Sequence, residues 1–152
     1  MKNKDQLRKK FLALRKKKYF EVSINKFNKL VYYIKKKSKI KKSFVIGLYY
    51  PSNYEFNILK LIRNFKNSKI IFLLPKILNS NLMKFVEWKE KDTLTVNKFG
   101  IPEPFETKKK GHLPDIILVP LVAFDSYKNR LGYGKGFYDR YLYKLIKLNK
   151  KI

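Results

Sequence analysis

Three short apolar segments restrict the possible folds of this chain more than any other feature of its sequence. They predict buried strands over Ser43–Tyr50, Lys69–Leu74 and Asp115–Val119, the first two ended by Pro51 and Pro75. Segments of this length are far too short to cross a bilayer. A strand that is apolar throughout is usually covered on both faces, as in parallel sheets packed between helices. We therefore expect an α/β fold with a mainly parallel sheet.

The segments around these strands predict helices. Apolar residues recur at helical spacing in the amphipathic segment Asp5–Lys18, and Ser23 is suited to the N-cap of a second helix. Further helices are predicted over Phe56–Phe65 and Phe137–Leu148. The middle of the chain is less regular, and we expect short strands over Met83–Trp88 and Thr93–Val96, a loop over Gly100–Pro104 and a solvated turn over Lys108–Gly111.

The length and the absence of cysteine limit the class of protein. A chain of 152 residues can bury a real core, and we expect residues 1–152 to form a single domain. The lack of cysteine excludes disulfide scaffolds, thiolate catalysis and cysteine-bound metals, and it fits a reducing compartment. The first residues are polar and lack the apolar core of a secretory signal. We expect a monomeric cytoplasmic protein without a membrane partner.

The charge of the chain first suggests a nucleic-acid partner, because 37 lysines and arginines against 11 acidic residues give a formal net charge of +26. The lysines are spread along the whole chain, however. They also accompany many Asn, Ile, Phe and Tyr residues, which share A/T-rich codons with lysine. The sequence contains no recognisable nucleic-acid-binding motif. We therefore expect no specific nucleic-acid partner.

Glycines occupy every second position of the segment Gly132–Gly136, between a predicted strand and a predicted helix. Alternating glycines allow positive φ and let a ligand approach the backbone closely. Backbone N–H groups beside a helix start favour an anion, and Lys135 adds a positive charge. Asp139 lies just beyond and is suited to hold a magnesium ion that bridges phosphates. The pattern predicts a nucleotide-phosphate site, although a connection that only turns the chain, with Asp139 solvated or paired to Arg140, stays open.

The glycine segment is part of a longer motif. Its spacing differs from a dinucleotide fingerprint, which requires glycine at Phe137, and from a P-loop, in which Ser or Thr follows the lysine. Together with Leu118–Asp125, the stretch Arg130–Leu142 resembles the signature of the 5-formyltetrahydrofolate cyclo-ligase family. Shorter segments agree in order and spacing, namely Lys4-x-x-Leu7-Arg8, Tyr49-Tyr50-Pro51 with Glu55, Leu74-Pro75-Lys76 and Gly100-Ile101-Pro102-Glu103-Pro104. The resemblance covers nearly the whole chain and implies a three-layer α/β/α sandwich.

The resemblance also implies a reaction and its cofactors. Members of this family couple ATP hydrolysis to ring closure of 5-formyltetrahydrofolate, giving 5,10-methenyltetrahydrofolate, ADP and phosphate. Such chemistry needs positioning and charge neutralisation more than a protein nucleophile. ATP and Mg²⁺ are therefore the expected cofactors. The expected substrate is 5-formyltetrahydrofolate, with or without a polyglutamate tail that the basic surface would attract.

Individual residues match positions of the family's motifs. Lys135 is expected to contact the transferred phosphate as the catalytic residue, Asp139 to bind magnesium, and Tyr50 and Glu55 to line the folate pocket. The expected ATP-binding residues are Lys4, Arg8, Arg130, Leu131, Gly132, Tyr133, Gly134, Lys135, Gly136, Phe137 and Tyr138. Lys4 and Arg8 are four residues apart on one helix face, and the alternative that they only form part of a solvated basic surface stays open. For Glu55, the alternative that it is a loop carboxylate which only offsets the charge of nearby lysines stays open.

One departure from the family concerns the end of the chain. The family continues past the helix of the glycine segment with another apolar strand and a further acidic metal ligand, whereas this sequence ends at Ile152. We therefore expect a sheet without its last strand, and Asp139 as the only protein carboxylate on the metal. Two alternatives to the enzyme stay open: a truncated folate- or nucleotide-binding remnant without turnover, and a basic nucleic-acid-binding domain.

Three further residues have side chains that are common in functional sites. For Trp88, the only tryptophan, we favour a place in the core over stacking on a ligand ring. We expect His112 to be exposed. We expect Asp125 to organise the turn before Arg130 rather than to bind a metal.

Overall fold

The computed structural model of the chain describes residues 3–39, 43–65, 68–105 and 112–148. Its helices are α1 (Lys4–Lys17), α2 (Asn28–Ser38) and α3 (Phe137–Lys147), with 3₁₀ helices over Ile24–Phe27 and Ile58–Phe65. Its strands are β1 (Phe44–Gly47), β2 (Ile70–Ile77), β3 (Met83–Glu87), β4 (Leu94–Val96), β5 (Pro102–Pro104), β6 (Ile116–Ile117), β7 (Ala123–Phe124) and β8 (Arg130–Leu131). The turn predicted over 108–111 and the chain end at 149–152 lie outside the described residues.

A four-stranded sheet with the order β3-β2-β1-β6 forms the centre of the fold. β1 runs parallel to both β2 and β6, and β3 pairs antiparallel with β2. The register pairs Phe44 with Ile70 and Ile46 with Ile116. The prediction of an α/β fold with a mainly parallel sheet is therefore confirmed. The strand predicted over Asp115–Val119 forms at its expected place but is only two residues long.

Both faces of the sheet are covered, as the apolar strands predict. Ile46 and Leu74 point to one face, where they pack with Ile34 of α2 and Leu61 of the second 3₁₀ helix. Their sequence neighbours Val45 and Leu73 point to the opposite face, where Phe85, Tyr138 and Tyr141 are packed. This alternation is the two-residue period of a strand. The sheet thus forms the middle layer between α2 and the second 3₁₀ helix on one side and α3 on the other.

The prediction that Pro75 ends a strand is wrong, because β2 continues through it to Ile77. The carbonyl of Phe72 accepts from Trp88 on the β3 side, whereas that of Leu73 accepts from Leu48 on the β1 side. Successive residues of a strand alternate between the two sides, so the nitrogen of Pro75 faces the β1 side. Leu48 still donates to Leu73, but the next bond of the parallel ladder, from residue 75 to the carbonyl of Leu48, is missing because proline has no N–H. The pairing with β1 therefore ends here, whereas the bonds to β3 come from the alternate residues of β2 and continue to Ile77.

The prediction of a loop over Gly100–Pro104 is also wrong in part, because Pro102–Pro104 forms β5 and pairs with β4. Asn97 donates its N–H to the carbonyl of Ile101, and Phe105 donates to Thr93. Pro102 and Pro104 lie at the alternate positions between these bonded pairs, where no donor to β4 is needed. The prolines are therefore compatible with the hairpin.

The helix predicted over Phe56–Phe65 is a 3₁₀ helix over Ile58–Phe65. Its buried residues are Ile58, Leu61 and Phe65, which are three or four residues apart and share one face. Over so short a segment, a repeat of three residues is not distinguishable from one of 3.6. Ser23 precedes the first 3₁₀ helix, but its side chain makes no capping hydrogen bond. Within the described ranges, none of the helices combines the length and apolarity that crossing a bilayer requires.

The structural interpretations of Trp88 and Asp125 agree with the structure. Trp88 is buried in the core. Asp125 accepts hydrogen bonds from the backbone and the side-chain amide of Asn129, which closes the turn before β8. His112 is half-buried rather than exposed, because its ring lies against Glu87, with Nε2 at 3.5 Å from the carboxylate.

Leu73→Ala is expected to destabilise the fold by about 2–5 kcal/mol, because it removes a fully buried side chain and leaves a cavity in the middle of the sheet. Leu78→Ala is the matched control, since Leu78 is 51% exposed just after the same strand. It should cost less than about 1 kcal/mol. Urea unfolding of both variants and the parent measures the difference. Equal losses in the two variants would contradict the assigned core.

Candidate functional site

A cleft of about 270 Å³ opens where the parallel strands end. The loop after β1 supplies one wall with Tyr50 and Glu55, and the glycine segment after β8 supplies another. The tip of the β4–β5 hairpin covers a third side through Phe99. Clefts beyond the carboxyl ends of parallel strands are the usual binding sites of open α/β sheets.

Two arginines of α1 hold the loops that form this cleft. Arg8 donates from Nε to the carbonyl of Gly132 at 2.8 Å. Arg15 donates from Nη2 to the carbonyls of Leu121 and Val122 at 2.5 and 2.7 Å. The two arginines are seven residues apart and therefore lie on the same side of the helix. The backbone of the site is thus fixed by guanidinium groups.

A chain of hydrogen bonds crosses from α1 to the loop after β1. Nη1 of Arg15 lies 2.8 Å from the hydroxyl of Tyr133, and this hydroxyl lies 2.6 Å from Oε1 of Glu55. The other carboxylate oxygen of Glu55 accepts from the backbone N–H of Ser52 at 2.9 Å. Glu55 is 7% exposed, so its carboxylate is buried but provided with donors.

Burial shifts the titration of several groups at the cleft. It raises the pKa of the Glu55 carboxyl, although hydrogen bonds from Tyr133 and Ser52 and the charge of Arg15 oppose the shift. Burial, together with the neighbouring Glu55, also raises the pKa of the Tyr133 hydroxyl. The Tyr138 hydroxyl has its pKa raised mainly by burial. These phenols therefore stay neutral near pH 7 and are able to act as hydrogen-bond donors.

Two positions of the glycine segment need glycine for a physical reason. Gly134 and Gly136 have φ of +94° and +68°, which side-chain-bearing residues rarely adopt. A Cβ on Gly134 would also lie 3.1 Å from the guanidinium carbon of Arg8. Gly136 is the N-cap of α3, so the loop leads directly into the start of a helix. The segment therefore has the open backbone and the helix start that suit an anion.

Lys135 and Asp139 both line the cleft. Lys135 is exposed, and its ammonium lies 5.9 Å from the ring centre of Phe99. Asp139 forms an ion pair with Arg130 and is 68% exposed. The alternative pairing of Asp139 with Arg140 is not found, because Arg140 donates to the carbonyls of Asn81 and Lys135.

The remaining predicted residues are only partly brought together. Those that line the cleft are Tyr50, Glu55, Arg130, Gly132, Tyr133, Gly134, Lys135, Gly136, Phe137, Tyr138 and Asp139. Leu131 lies in β8, opposite Ala123 and behind the lining. Arg8 lies behind the glycine segment, and Lys4 is exposed on α1 outside the lining. The position of Lys4 therefore agrees with the alternative that it belongs to a solvated basic surface.

The structure adds residues that the sequence analysis missed, above all in the hairpin. Phe99 packs edge-to-face on Phe137 of α3, with ring centres 5.7 Å apart. The buried Glu103 holds this hairpin against β2, because it accepts from the N–H of Ile77 and from Asn97. Lys76 of β2 donates to the carbonyl of Pro104 at 2.7 Å. An aromatic residue directly before the turn at Gly100 was the available signal for Phe99.

Metal binding by this cleft would depend on few side chains. Among the residues that the structure describes, no group of three or more His, Cys, Asp or Glu side chains is placed to hold a metal ion. Asp139, exposed beside the glycine segment, offers a carboxylate at the cleft. Magnesium usually takes one or two protein carboxylates and completes its coordination with phosphates and water. The site therefore fits magnesium that arrives with a nucleotide.

Comparisons with known proteins all lead to one family. The family model described as the 5-formyltetrahydrofolate cyclo-ligase family matches residues 1–151. The 5-formyltetrahydrofolate cyclo-ligase of Mycoplasma pneumoniae is 31% identical, over 99% of this chain and 83% of its own length. The probable 5-formyltetrahydrofolate cyclo-ligase of Schizosaccharomyces pombe is 42% identical over 53% of this chain, and the match spans only 41% of that relative.

A solved structure shows the same architecture. The 5,10-methenyltetrahydrofolate synthetase of Aquifex aeolicus superimposes with a TM-score of 0.63 at 31% identity. The superposition covers 92% of this chain and 72% of that structure. Sequence and structure thus agree on the relatives of this protein.

Glu55→Gln is expected to flatten the pH dependence of stability. Because the folded-state pKa of this carboxyl is raised above its ordinary 4.5, the folded protein binds the proton more tightly than the unfolded chain. The parent should therefore be stabilised by this group at low pH and lose that contribution as the pH rises above about 4.5 and through the raised pKa. Glutamine does not titrate in this range.

Urea unfolding at a series of pH values measures this effect. The exposed Glu90→Gln is the control and should reproduce the pH dependence of the parent. The assignment fails if Glu55→Gln and Glu90→Gln give the same curve.

Proposed function

Because the chain belongs to the 5-formyltetrahydrofolate cyclo-ligase family, we propose that it catalyses the ATP- and Mg²⁺-dependent cyclisation of 5-formyltetrahydrofolate to 5,10-methenyltetrahydrofolate. The family is that of a ligase, which agrees with the enzyme class expected from the sequence. The observation that supports the activity best is the arrangement of the cleft. It brings the glycine segment and Lys135 to the same space as Glu55 and Tyr50, which come from a distant part of the chain.

The glycine segment is the proposed phosphate site. Its backbone approaches the cleft without side chains at Gly134 and Gly136, and α3 starts directly after it. Backbone N–H groups at a helix start attract the negative charge of phosphates. Lys135 and Arg130 add positive charge at the same wall. We assign the transferred phosphate to Lys135.

The reaction needs an oxygen of the substrate to become a leaving group. The formyl oxygen of the folate attacks the terminal phosphorus of ATP, the bond to the bridging oxygen breaks, and ADP departs. The neighbouring folate nitrogen then attacks the formyl carbon and loses its proton. The carbon–oxygen bond breaks, and the former formyl oxygen leaves within phosphate. The task of the protein is to hold both reactants in line and to neutralise charge.

Glu55 and Tyr50 are the proposed folate contacts. Tyr133 already donates to Oε1 of Glu55, and the N–H and the hydroxyl of Ser52 donate to Oε2. Each carboxylate oxygen accepts more than one hydrogen bond, so capacity remains for the amino group of a pterin. The buried position of Glu55 strengthens such a contact, because little water competes for it.

Magnesium is the proposed metal, and Asp139 is its proposed protein ligand. Arg130 now neutralises this carboxylate, so the ion pair would have to open to give the metal access to Asp139. When bound, the metal supplies neutralisation of the phosphate charge.

We further propose that the chain is a single domain that acts as a monomer in the cytoplasm. The absence of cysteine supports a reducing compartment. The net charge of +26 would favour folates that carry a polyglutamate tail over those with one glutamate.

Formation of the methenyl product, followed by its near-ultraviolet absorbance, tests the function. Lys135→Ala should weaken ATP binding by about 10- to 100-fold in isothermal titration, because it removes a hydrogen bond between charged groups. Asp139→Asn should slow turnover at limiting magnesium, with partial recovery at excess magnesium. The exposed Lys36→Ala and Glu90→Gln are controls that should match the parent.

The outcomes separate the possible functions. Turnover by the parent that Lys135→Ala and Asp139→Asn leave unchanged would remove both residues from the site. ATP and folate binding without turnover, in a folded chain, would favour a binding protein.

Nucleic-acid affinity is expected to be non-specific and to fall steeply with salt. A diffuse basic surface binds phosphates by releasing counterions, which carries no base information. Fluorescence anisotropy with two unrelated labelled duplexes of equal length, at about 50 and about 200 mM salt, measures this. A sequence-selective complex that persists at the higher salt would contradict the expectation.

A further inference from the structure

The side chain of Tyr133 connects two walls of the cleft. Its backbone lies in the glycine segment, between Gly132 and Gly134. Its hydroxyl reaches Glu55, a residue 78 positions away in sequence, and contacts Oε1 at 2.6 Å. A residue of the proposed phosphate site thus touches the carboxylate proposed to bind the folate. The family resemblance assigned Tyr133 to the nucleotide alone.

The direction of this hydrogen bond is fixed by Arg15. A guanidinium group only donates hydrogen bonds, so the Tyr133 oxygen must accept from Nη1 of Arg15. The single proton of the hydroxyl is then free to point at Glu55, whose ionised carboxylate only accepts. Arg15 itself is held by the carbonyls of Leu121 and Val122 through Nη2. The guanidinium is therefore a fixed support with little freedom to turn.

The orientation of the Glu55 carboxylate depends on the two residues that donate to it, Ser52 and Tyr133. Ser52 belongs to the same loop as Glu55 and fixes Oε2 locally, with a reciprocal bond from the N–H of Glu55 to the carbonyl of Ser52. Tyr133 fixes Oε1 from another part of the chain. Without the phenol, one carboxylate oxygen would lose the contact that ties it to the glycine segment. The plane of the carboxylate would then be set by its own loop alone.

We propose that Tyr133, supported by Arg15, is a positioning residue that couples ATP binding to folate binding through Glu55. Phosphates that order the glycine segment also order Tyr133, and through it the acceptor of the folate. The free-energy cost of ordering these residues falls on the ligand that binds first, and the second ligand then binds without that cost. Each ligand therefore raises the affinity for the other by the same factor. This inference rests on the proposed function, since it requires that both ligands bind in the cleft.

The experiment measures that coupling factor at equilibrium. The affinity for 5-formyltetrahydrofolate is determined by isothermal titration with and without an ATP analogue that cannot be hydrolysed, in the presence of magnesium. For the parent, we expect the analogue to tighten folate binding at least about fivefold, the lower end of typical coupling. Tyr133→Phe removes only the hydroxyl, and its factor should fall close to one while the analogue alone still binds.

Two further variants separate coupling from a loss of structure. Tyr32→Phe removes a hydroxyl from a tyrosine that is 70% exposed on α2, and it should keep the coupling of the parent. Arg15→Lys keeps the charge but cannot hold Tyr133 and both carbonyls together, so it should lose coupling as Tyr133→Phe does. Thermal unfolding shows whether each variant is folded, and Tyr133→Phe decides the question if Arg15→Lys is not.

The kinetic prediction is a rise in KM for folate at saturating ATP in Tyr133→Phe, with a smaller change in kcat. A coupling factor close to one in the parent, or one left unchanged in Tyr133→Phe, would overturn the inference while the proposed function stands. Failure of the folded parent to bind either ligand would overturn the proposed function, and the inference with it.

Discussion

The pairing of loop carbonyls with two arginines is the interaction on which the arrangement of the site depends. The segments after β6 leave the central sheet and pair only over the short β7–β8 hairpin, so carbonyls beside that hairpin need other partners. Buried backbone acceptors need a partner, and Arg8 and Arg15 supply it for Gly132, Leu121 and Val122. α1 has no buried residue of its own. The helix is therefore attached to the described fold largely by polar contacts, and its position and that of the loops determine each other.

The sheet provides the rigid part to which this polar assembly is attached. Residues of β1 and β2 alternate between two apolar layers, and the most buried of them lie in the centre of the sheet. The layers hold the carboxyl ends of the strands at fixed positions, from which Tyr50 and Glu55 extend towards the cleft. The β4–β5 hairpin, which carries Phe99, is held against β2 by the buried Glu103, which contacts Ile77 and Lys76. Apolar packing thus fixes the base of the cleft, and charged groups fix its rim.

The sequence predicts the apolar part of this structure better than the polar part. Continuous apolar segments identified β1 and β2, and the helical spacing of apolar residues identified α1. The continuation of β2 through Pro75 was missed because the proline ends only the pairing with β1, while the pairing with β3 on the other side continues. Which neighbouring strand a proline nitrogen faces depends on the sheet as a whole, and local sequence does not show it.

The residues of the site divide in the same way. The motif around Lys135 and Asp139 is local, so its spacing could be recognised. Arg15 was missed because its partners, Leu121, Val122 and Tyr133, lie more than a hundred residues further along the chain. In a helix with basic residues at nearly every turn, no local pattern distinguishes the cation that points inward. Phe99 was missed for a related reason, since its place at the cleft depends on how Glu103 docks the hairpin.

Pro75 has a consequence for the behaviour of the protein in a crowded solution. Beyond the end of β1, Pro75 and Ile77 are the residues of β2 that face this side, and the free N–H groups of a strand edge are a template on which foreign strands can add. Pro75 has no N–H, and the N–H of Ile77 is bound by Glu103 of the β4–β5 hairpin. A strand from another molecule would find no N–H there with which to continue a ladder. Pro75 and Glu103 together thus leave this stretch of β2 without a free donor for strand addition.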